Sequence, residues 1–449
     1  MAIMSRKNKK TEEKINTVGK VSGDNIRNRY LRWYKLDNSA HLFPVIAGEK
    51  MSNTFRLCVT LNEEINPSLL QEALDTLLPM YDPFNVRLRR GFFWYYFEEN
   101  GRKAPTVHEE NTYPCAFIHS KFNRDYLFRV TYYHNRINLE IFHVLADGMG
   151  GINFLKELVY HYLRLSHPAL TDSVGEGLSV GTSMNLEDSF LKNYKKKCKP
   201  TYETMKAYLI KGEHLRDNQL GVIRASFGVN AVKEVAHKYN LTINEYLVGA
   251  YMYSIYIACL HGAISSKALR IAVPVNLRSF YESVTVKNFF VVVSAAFNAD
   301  KEDFSFDEVL KITSESLKEQ LSKEHLEEIF SYNVSNQMNT FLRLQPIWIK
   351  NVAMRAVYTR SALANTTTMT NIGNIRVEDA YKPYIDNFFC ILAMSKGQFI
   401  KSTICSYGDT MNVTFGSALR DTSIQQCFVK TLSSDGLDVS LETNGVYYG

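Results

Sequence analysis

The stretch from Arg136 to Leu165 constrains the fold of this chain more than any other part of its sequence. Apolar residues alternate along it at period two and lead to a histidine, which is typical of one face of a buried strand: Ile137, Leu139, Ile141 and His143. Three glycines then follow, at Gly148, Gly150 and Gly151. Because glycine disfavours a helix, we expect a tight loop here and a helix over Ile152–Leu165 after it. The pattern predicts a histidine where a strand ends and the chain turns.

Helical and strand patterns alternate along the rest of the chain, which predicts an α/β fold. Residues 34–170 and 219–449 each contain both patterns, and 171–218 have the composition of a connection, so two comparable halves are the simplest division. Asn66-Pro67 predicts the start of a helix, since proline fits its first turn. Val86–Phe97 predicts the first arm of a hairpin that turns at Asn100-Gly101. A crevice between two halves is where we expect a substrate site.

The formal net charge of +6 comes from the amino terminus. Of the 52 Lys/Arg and 46 Asp/Glu residues, 1–33 hold nine and three, which leaves 43 of each elsewhere. We interpret 1–33 as a basic flexible tail, capable at most of weak contact with an anionic surface. A neutral body offers no basic face to a nucleic acid, so we expect no nucleic-acid partner.

The cysteines and the apolar segments indicate the cellular compartment and whether the chain spans a membrane. Seven cysteines are scattered along the chain without metal-site spacing, which favours a reducing compartment, and we expect a cytoplasmic protein without a structural zinc. The most apolar window, Tyr246–Leu260, is shorter than the ~20 residues that span a bilayer. It follows a capping-box pattern, Thr242 and Glu245, and we expect a buried core helix.

His143 admits several interpretations on physical grounds. A neutral imidazole at a strand end can take a proton from an alcohol, amine or thiol as that group attacks an acyl carbon. It can equally be a histidine that only satisfies its own hydrogen bonds. His143 and Asp147 have the spacing of two metal ligands on a helix, but the sequence offers no third ligand cluster. The glycines lack the Lys-Ser/Thr ending of a phosphate-binding loop.

A resemblance to a known superfamily adds to this. Phe142-His143-Val-Leu-Ala-Asp147-Gly148 resembles the HHxxxDG motif of the chloramphenicol acetyltransferase-like superfamily, which includes condensation domains and alcohol acetyltransferases. Four further segments resemble the family's amino-terminal helix and strand, its central helix, its PVNLR strand and its SN-x-G strand, in the family's order: Leu69–Leu88, Thr242–Glu245, Val273–Arg278 and Thr370–Gly373. The chain is most similar to bacterial alcohol acetyltransferase-like proteins.

The resemblance implies a fold and a mechanism. It implies two similar halves, each a mixed sheet with helices, and a tunnel between them. His143 would be the general base that deprotonates the acceptor, and Asp147 would pair with Arg278 to hold the loop. Gly148 would leave room in the tunnel, and Thr370 and Asn371 would contact the oxyanion or the substrate. The co-substrate would be acyl-CoA or a carrier-protein thioester, with no bound cofactor and no metal.

Two features separate the chain from parts of the superfamily. The first histidine of the motif is Phe142, and the DFGWG motif of the plant enzymes is missing. We therefore expect an acyl-CoA-dependent O-acyltransferase acting on a small alcohol. The alternatives are a condensation-like transferase with a carrier-protein thioester or an amine acceptor, and a noncatalytic binding module on the same fold.

Overall fold

Two mixed β-sheets and a smaller antiparallel one organise the described part of the chain. A computed structural model gives the conformation of residues 32–174, 177–195, 205–216 and 219–448. The predicted basic tail, 1–33, lies outside these residues apart from Arg32 and Trp33.

The secondary-structure elements are numbered in chain order. The strands are β1 (Trp33–Lys35), β2 (Thr54–Leu61), β3 (Val86–Arg90), β4 (Tyr95–Glu99), β5 (His108–Glu109), β6 (Phe128–Tyr133), β7 (Arg136–Phe142), β8 (Gly221–Gly228), β9 (Leu269–Asn276), β10 (Phe290–Phe297), β11 (Thr367–Asn374), β12 (Ile385–Leu392), β13 (Ile400–Tyr407), β14 (Thr410–Ser417) and β15 (Ser440–Thr443). The α-helices are α1 (Phe43–Ile46), α2 (Pro67–Leu77), α3 (Gly148–Ser166), α4 (Ala169–Val174), α5 (Ser189–Asn193), α6 (Val229–Lys238), α7 (Ile243–Ile255), α8 (Arg278–Tyr281), α9 (Phe306–Gln320), α10 (Lys323–Met338), α11 (Thr340–Leu344), α12 (Ile347–Ala362) and α13 (Ser423–Ser434).

Each large sheet is built mainly from one half of the chain, and the five-stranded sheet takes one strand, β12, from the carboxy-terminal half. The five-stranded sheet has the order β12-β2-β7-β6-β5, and the seven-stranded sheet has the order β10-β9-β11-β13-β14-β8-β15. Both sheets mix parallel and antiparallel pairs. The pairs β5–β6, β9–β11 and β11–β13 are parallel, and the other pairs of these two sheets are antiparallel. The predicted fold class, two α/β halves with mixed sheets, is confirmed.

The two sheets meet through β12, which follows the seven-stranded sheet's β11 in sequence but pairs with β2 of the other sheet. From there it contacts β13 and β14. Thr403 Oγ1 donates to the backbone oxygen of Cys390, and Asn412 Nδ2 donates to that of Phe388 at 2.9 Å. Strand β12 is therefore the shared seam of the two halves.

Local signals place several elements where the sequence predicts them. Asn66 caps α2 by accepting from the backbone nitrogens of Ser68 and Leu69. Thr242 and Glu245 form the reciprocal capping box at the start of α7, whose residues are nearly all buried. The β6–β7 hairpin turns at His134 and Asn135, as predicted. No helix among the described residues is long and apolar enough to cross a membrane.

The predicted hairpin turn at Asn100-Gly101 is wrong. The chain already reverses between β3 and β4, where Gly91 N–H donates to Trp94 O at 2.9 Å. A Cβ on Gly91 would lie 2.9 Å from that oxygen, so this turn needs glycine. Asn100 is instead a buried anchor whose side chain donates to the backbone oxygen of Arg124.

The predicted loop over the three glycines is also wrong, because α3 already begins at Gly148 with Asp147 as its cap. The glycines serve packing. A Cβ on Gly150 would lie 2.4 Å from Val286 O, and one on Gly151 would lie 2.7 Å from the side chain of Leu57 in β2. The first turn of α3 thus lies directly against its neighbours, which outweighs the low helix propensity of glycine.

We expect Gly150→Ala to destabilise the fold by about 1–3 kcal/mol, because the added methyl meets a backbone oxygen that no rotamer change can move away. Gly101→Ala is the matched control: it adds the same atom at an exposed position with open space around it, and should change the free energy of unfolding by less than ~0.5 kcal/mol. Urea unfolding of both variants measures the difference. Equal stabilities would contradict the packing explanation.

Candidate active site

His143 lies directly after β7, between elements of both halves. Its backbone N–H donates to Asn53 O at 2.9 Å. The imidazole stacks on the ring of Phe43 in α1 with centroids 4.5 Å apart, and meets Phe55 of β2 edge-on at 5.0 Å. Phe290, at the start of β10, is 5.7 Å away. Aromatic rings thus fix the plane of the imidazole and exclude water from much of it.

Asn288 determines which nitrogen of His143 carries the proton. The Nδ1 atom of His143 is 3.2 Å from Asn288 Oδ1, and Asn288 Nδ2 donates to Asp37 Oδ2 at 2.9 Å. The bond to Asp37 fixes the orientation of the amide, so an oxygen faces the imidazole. Since an amide oxygen only accepts, Nδ1 must donate, and the lone pair lies on Nε2. Nε2 has no hydrogen-bond partner among the described residues.

Asp37 and Asn288 form a buried support behind the imidazole, each only 1% exposed. Asp37 also accepts from the backbone nitrogens of Ala40, at 2.8 Å, and of Asn288. Burial raises the pKa of Asp37 to about 7, although these hydrogen bonds oppose the rise. This support joins the segment after β1 to the segment before β10.

The pKa of His143 is lowered, chiefly by burial, which disfavours the imidazolium. Its own backbone oxygen, Asp147 and Asn288 oppose this shift, and the positive charge of Lys401 adds to it. Lys401, in β13, has no ion-pair partner among the described residues, and burial lowers its pKa to about 8. His143 is therefore neutral at pH 7, with the lone pair that a general base needs.

Asp147 and Arg278 form a two-pronged ion pair. Arg278 Nη1 lies 2.8 Å from Asp147 Oδ2, and Nη2 lies 3.1 Å from Oδ1. Asp147 also accepts from the backbone nitrogens of Gly150 and Phe289, each at 3.1 Å. Arg278 in turn donates from Nε to Thr285 O at 3.0 Å. Asp147 is thus saturated by neighbours and holds structure rather than touching the imidazole.

Thr370 lies on the face of β11 that looks towards the other half. It pairs in register with Thr403, whose hydroxyl bonds to Cys390 of β12. Ile372 approaches from the same strand: its Cδ1 would lie 2.5 Å from a Cβ on Gly148. The start of α3 at Gly148 therefore lies against β11, the strand that carries Thr370.

Asn371 is not brought to His143. Neighbouring residues of a strand face opposite sides, and the Asn371 side chain donates to Asn244 Oδ1 at 3.2 Å, at the start of α7. Its own oxygen accepts from Gly373 N–H at 2.8 Å. In this structure both ends of the Asn371 amide have a partner, and the oxyanion or substrate contact of Asn371 stays a prediction.

The described residues contain no group of three or more His, Cys, Asp or Glu side chains that could hold a metal ion. Their six cysteines are all free, and four are buried. His143 and Asp147 do not face each other as two ligands, since the carboxylate is taken by Arg278 and the backbone.

Three residues of the site escaped the sequence analysis. Asp37, Asn288 and Lys401 come from distant segments and carry no local motif, so only the fold brings them to His143. One signal was available for Asn288. It directly precedes the apolar strand Phe289–Phe297, and a buried amide at that point needs a partner.

Removing Arg278 should destabilise the protein, because Asp147 would stay buried without its cation. We expect Arg278→Ala to lower the free energy of unfolding by about 3–5 kcal/mol. The control is Arg420→Ala, which breaks an exposed ion pair with Glu213 and should cost under ~0.5 kcal/mol. Urea unfolding compares the two. A loss for Arg278→Ala no greater than that of the control would contradict a structural role.

The sequence and the structure were compared with those of known proteins. No protein-family model matches the chain, and no curated protein is similar to it in sequence. Solved structures do resemble it along most of its length. TRI3, a trichothecene 15-O-acetyltransferase from Fusarium sporotrichioides, has 9% identity and a TM-score of 0.57, and the match covers 90% of this chain and 95% of that one.

Two further structures agree. TRI101 of F. sporotrichioides, solved with coenzyme A and T-2, has 10% identity and a TM-score of 0.61, covering 91% of this chain and 99% of that one. The first condensation domain of the CDA synthetase has 10% identity and a TM-score of 0.56, with coverages of 91% and 99%. The chain therefore has the chloramphenicol acetyltransferase-like fold of condensation domains and trichothecene acetyltransferases, as the sequence motifs predicted.

Proposed function

We propose that the protein is an acyl-CoA-dependent O-acyltransferase in which His143 is the general base. The observation that carries this proposal is the state of the imidazole. It is neutral, its Nδ1–H donates to Asn288, and its Nε2 is without a partner among the described residues. This neutral form, with Nε2 available, is the one that a general base requires.

The proposed reaction uses these groups in two proton transfers. Nε2 of His143 takes the proton of the acceptor hydroxyl as its oxygen attacks the thioester carbonyl carbon. The carbonyl oxygen becomes an oxyanion, to which Thr370 would donate from the facing strand. The C–S bond then breaks, and the thiolate leaves with the proton from Nε2. The products are an ester and free coenzyme A, and His143 returns to its neutral form.

Coenzyme A as the donor is supported by the fold neighbours, one of which was solved with that molecule. Condensation domains share the fold equally well, so a carrier-protein thioester is the second candidate donor. A reaction with free acetyl-CoA separates the two, because it needs no carrier protein. An alcohol acceptor, acetyl as the acyl group and the alcohol acetyltransferase type are parts of the proposal that rest on the sequence resemblance.

The direct test measures thiol release from acetyl-CoA with a panel of alcohols and amines. We expect acceptor-dependent release, and a loss of kcat/KM of roughly 100- to 10,000-fold in His143→Ala while the variant remains folded. His161→Gln is the control. It removes another buried histidine, whose pKa burial lowers to about 4, from α3. Wild-type rates in His143→Ala would exclude the mechanism, and release only from a carrier-protein thioester would favour the second donor.

The pH dependence follows from the lowered pKa of His143. The base is active when neutral, so kcat/KM should fall on acidification below pH 6.5. Asn288→Ala should lower kcat by roughly 10- to 100-fold with little effect on KM, because the proton is no longer held on Nδ1. It should move the acid limb to lower pH, since Asn288 raises the pKa of His143.

The control for Asn288 is Asn62→Ala, which removes an exposed amide that donates to Pro383 O far from the imidazole. A readout independent of turnover is the nitrogen NMR shift of the two ring atoms of His143. We expect Nδ1 protonated and Nε2 unprotonated in the native protein, and a mixture of tautomers in Asn288→Ala. An unchanged tautomer and rate would contradict the positioning role of Asn288.

A further inference from the structure

Helix α12 exposes apolar side chains to solvent along most of its length. Of its sixteen residues, only Ile347 and Ala362 are buried. Trp348 is 61% exposed, and Val352 and Val357 are each 67% exposed. A surface helix normally turns its apolar side chains to the core. Here they point to solvent along the length of the helix, which indicates a surface that is covered in the working state.

The tip of the β3–β4 hairpin extends this apolar area. Ile347 N–H donates to Phe92 O at 2.9 Å, and Lys350 Nζ donates to Phe93 O at 2.9 Å, so the tip is bound to the start of α12. Phe92 and Trp94 at this tip are 69% and 50% exposed. The preceding helix α11 adds two more apolar side chains. We define the tip surface as Phe92, Trp94, Phe341, Leu344, Trp348 and Val352.

The segment that contains α11 and α12 carries charges of one sign. Residues 329–377 contain no Asp or Glu, but they contain Arg343, Arg355 and Arg360, all exposed. Arg90, next to the hairpin tip, is exposed as well. None of these four guanidinium groups has a carboxylate partner among the described residues. The surface is therefore apolar and aromatic at its centre and cationic around it.

This combination selects the occupant. Tryptophan and phenylalanine favour the boundary between lipid headgroups and acyl chains, and arginines beside them attract anionic headgroups. The apolar side chains project from a hairpin tip and two helices, which suits their insertion between lipid headgroups. Residues 1–33 carry an excess of Lys and Arg, the same sign of charge as the arginines of the tip region, so they are not a complementary occupant for it. We propose that the tip surface docks the protein onto an anionic membrane surface.

Docking at this surface would bring the bilayer close to His143. Arg355 of α12 donates from Nε to Val45 O at 2.8 Å, in the short helix α1. Phe43, at the other end of α1, stacks on the imidazole of His143. The single turn of α1 therefore lies between α12, which carries part of the tip surface, and the candidate base. Resting on the proposed acyl transfer, this adjacency points to a lipid-soluble alcohol or acyl chain as substrate.

Flotation with vesicles tests the docking without reference to activity. The full chain should float with phosphatidylcholine vesicles that contain about 30% phosphatidylglycerol, and should not float with phosphatidylcholine alone. The double variant Trp94→Ser/Trp348→Ser should bind the anionic vesicles at least about tenfold more weakly. The matched control Phe122→Ser/Ile264→Ser changes two exposed apolar residues outside the tip surface and should bind like the native protein. Thermal melting verifies that both variants fold.

Intrinsic fluorescence locates the contact. All three tryptophans of the chain are exposed: Trp94 and Trp348 in the tip surface, and Trp33 on β1. In Trp33→Phe, brominated phospholipid in the anionic vesicles should still quench the emission. Binding of the double variant equal to that of the native protein, which the basic residues 1–33 alone would give, would overturn the proposal, as would absence of quenching. Thiol release in the absence of vesicles tests the acyl transfer separately.

Discussion

The arrangement of the site depends on one buried carboxylate. Asp147 caps α3, accepts both arms of Arg278 and accepts the backbone N–H of Phe289. It thereby joins the amino-terminal half to two segments of the other half, immediately beside Asn288, which holds the imidazole. Because a buried charge is costly unless it is fully paired, these donors have to remain in place together. The position of His143 follows from this electrostatic requirement.

The sequence contains enough local information for the elements and for part of the site. Caps at Asn66 and Thr242 determine helix starts through atoms three residues away, and the period-two pattern before His143 places it at a strand end. The motif also predicted the partners Asp147 and Arg278, which the structure places in contact. What it described wrongly was the run of glycines, since close packing against Val286 and Leu57 is a property of the tertiary fold.

The rest of the site was beyond sequence reasoning for the same reason. Asp37, Asn288 and Lys401 come from three separate segments and act on His143 through hydrogen bonds, charge and burial. The spacing of residues along the chain does not predict these tertiary contacts. The same limit holds for α12. Apolar residues of a surface helix usually face the core, and only the tertiary structure shows that the described chain leaves Trp348 uncovered. Functional surfaces are where local preference and final environment disagree most.

The crossing of β12 has a consequence for how the protein is made. The five-stranded sheet needs β12 beside β2, so Leu61 cannot pair with Ile385 until that later segment has been synthesised. On the ribosome, the amino-terminal half is synthesised long before its last strand emerges, and β2 remains an unpaired edge of a hydrophobic sheet during that time. Such distant pairings close late in folding. The halves are alike in architecture, yet the amino-terminal half cannot complete its sheet on its own, and the nascent chain would depend on protection of that edge until β12 is synthesised.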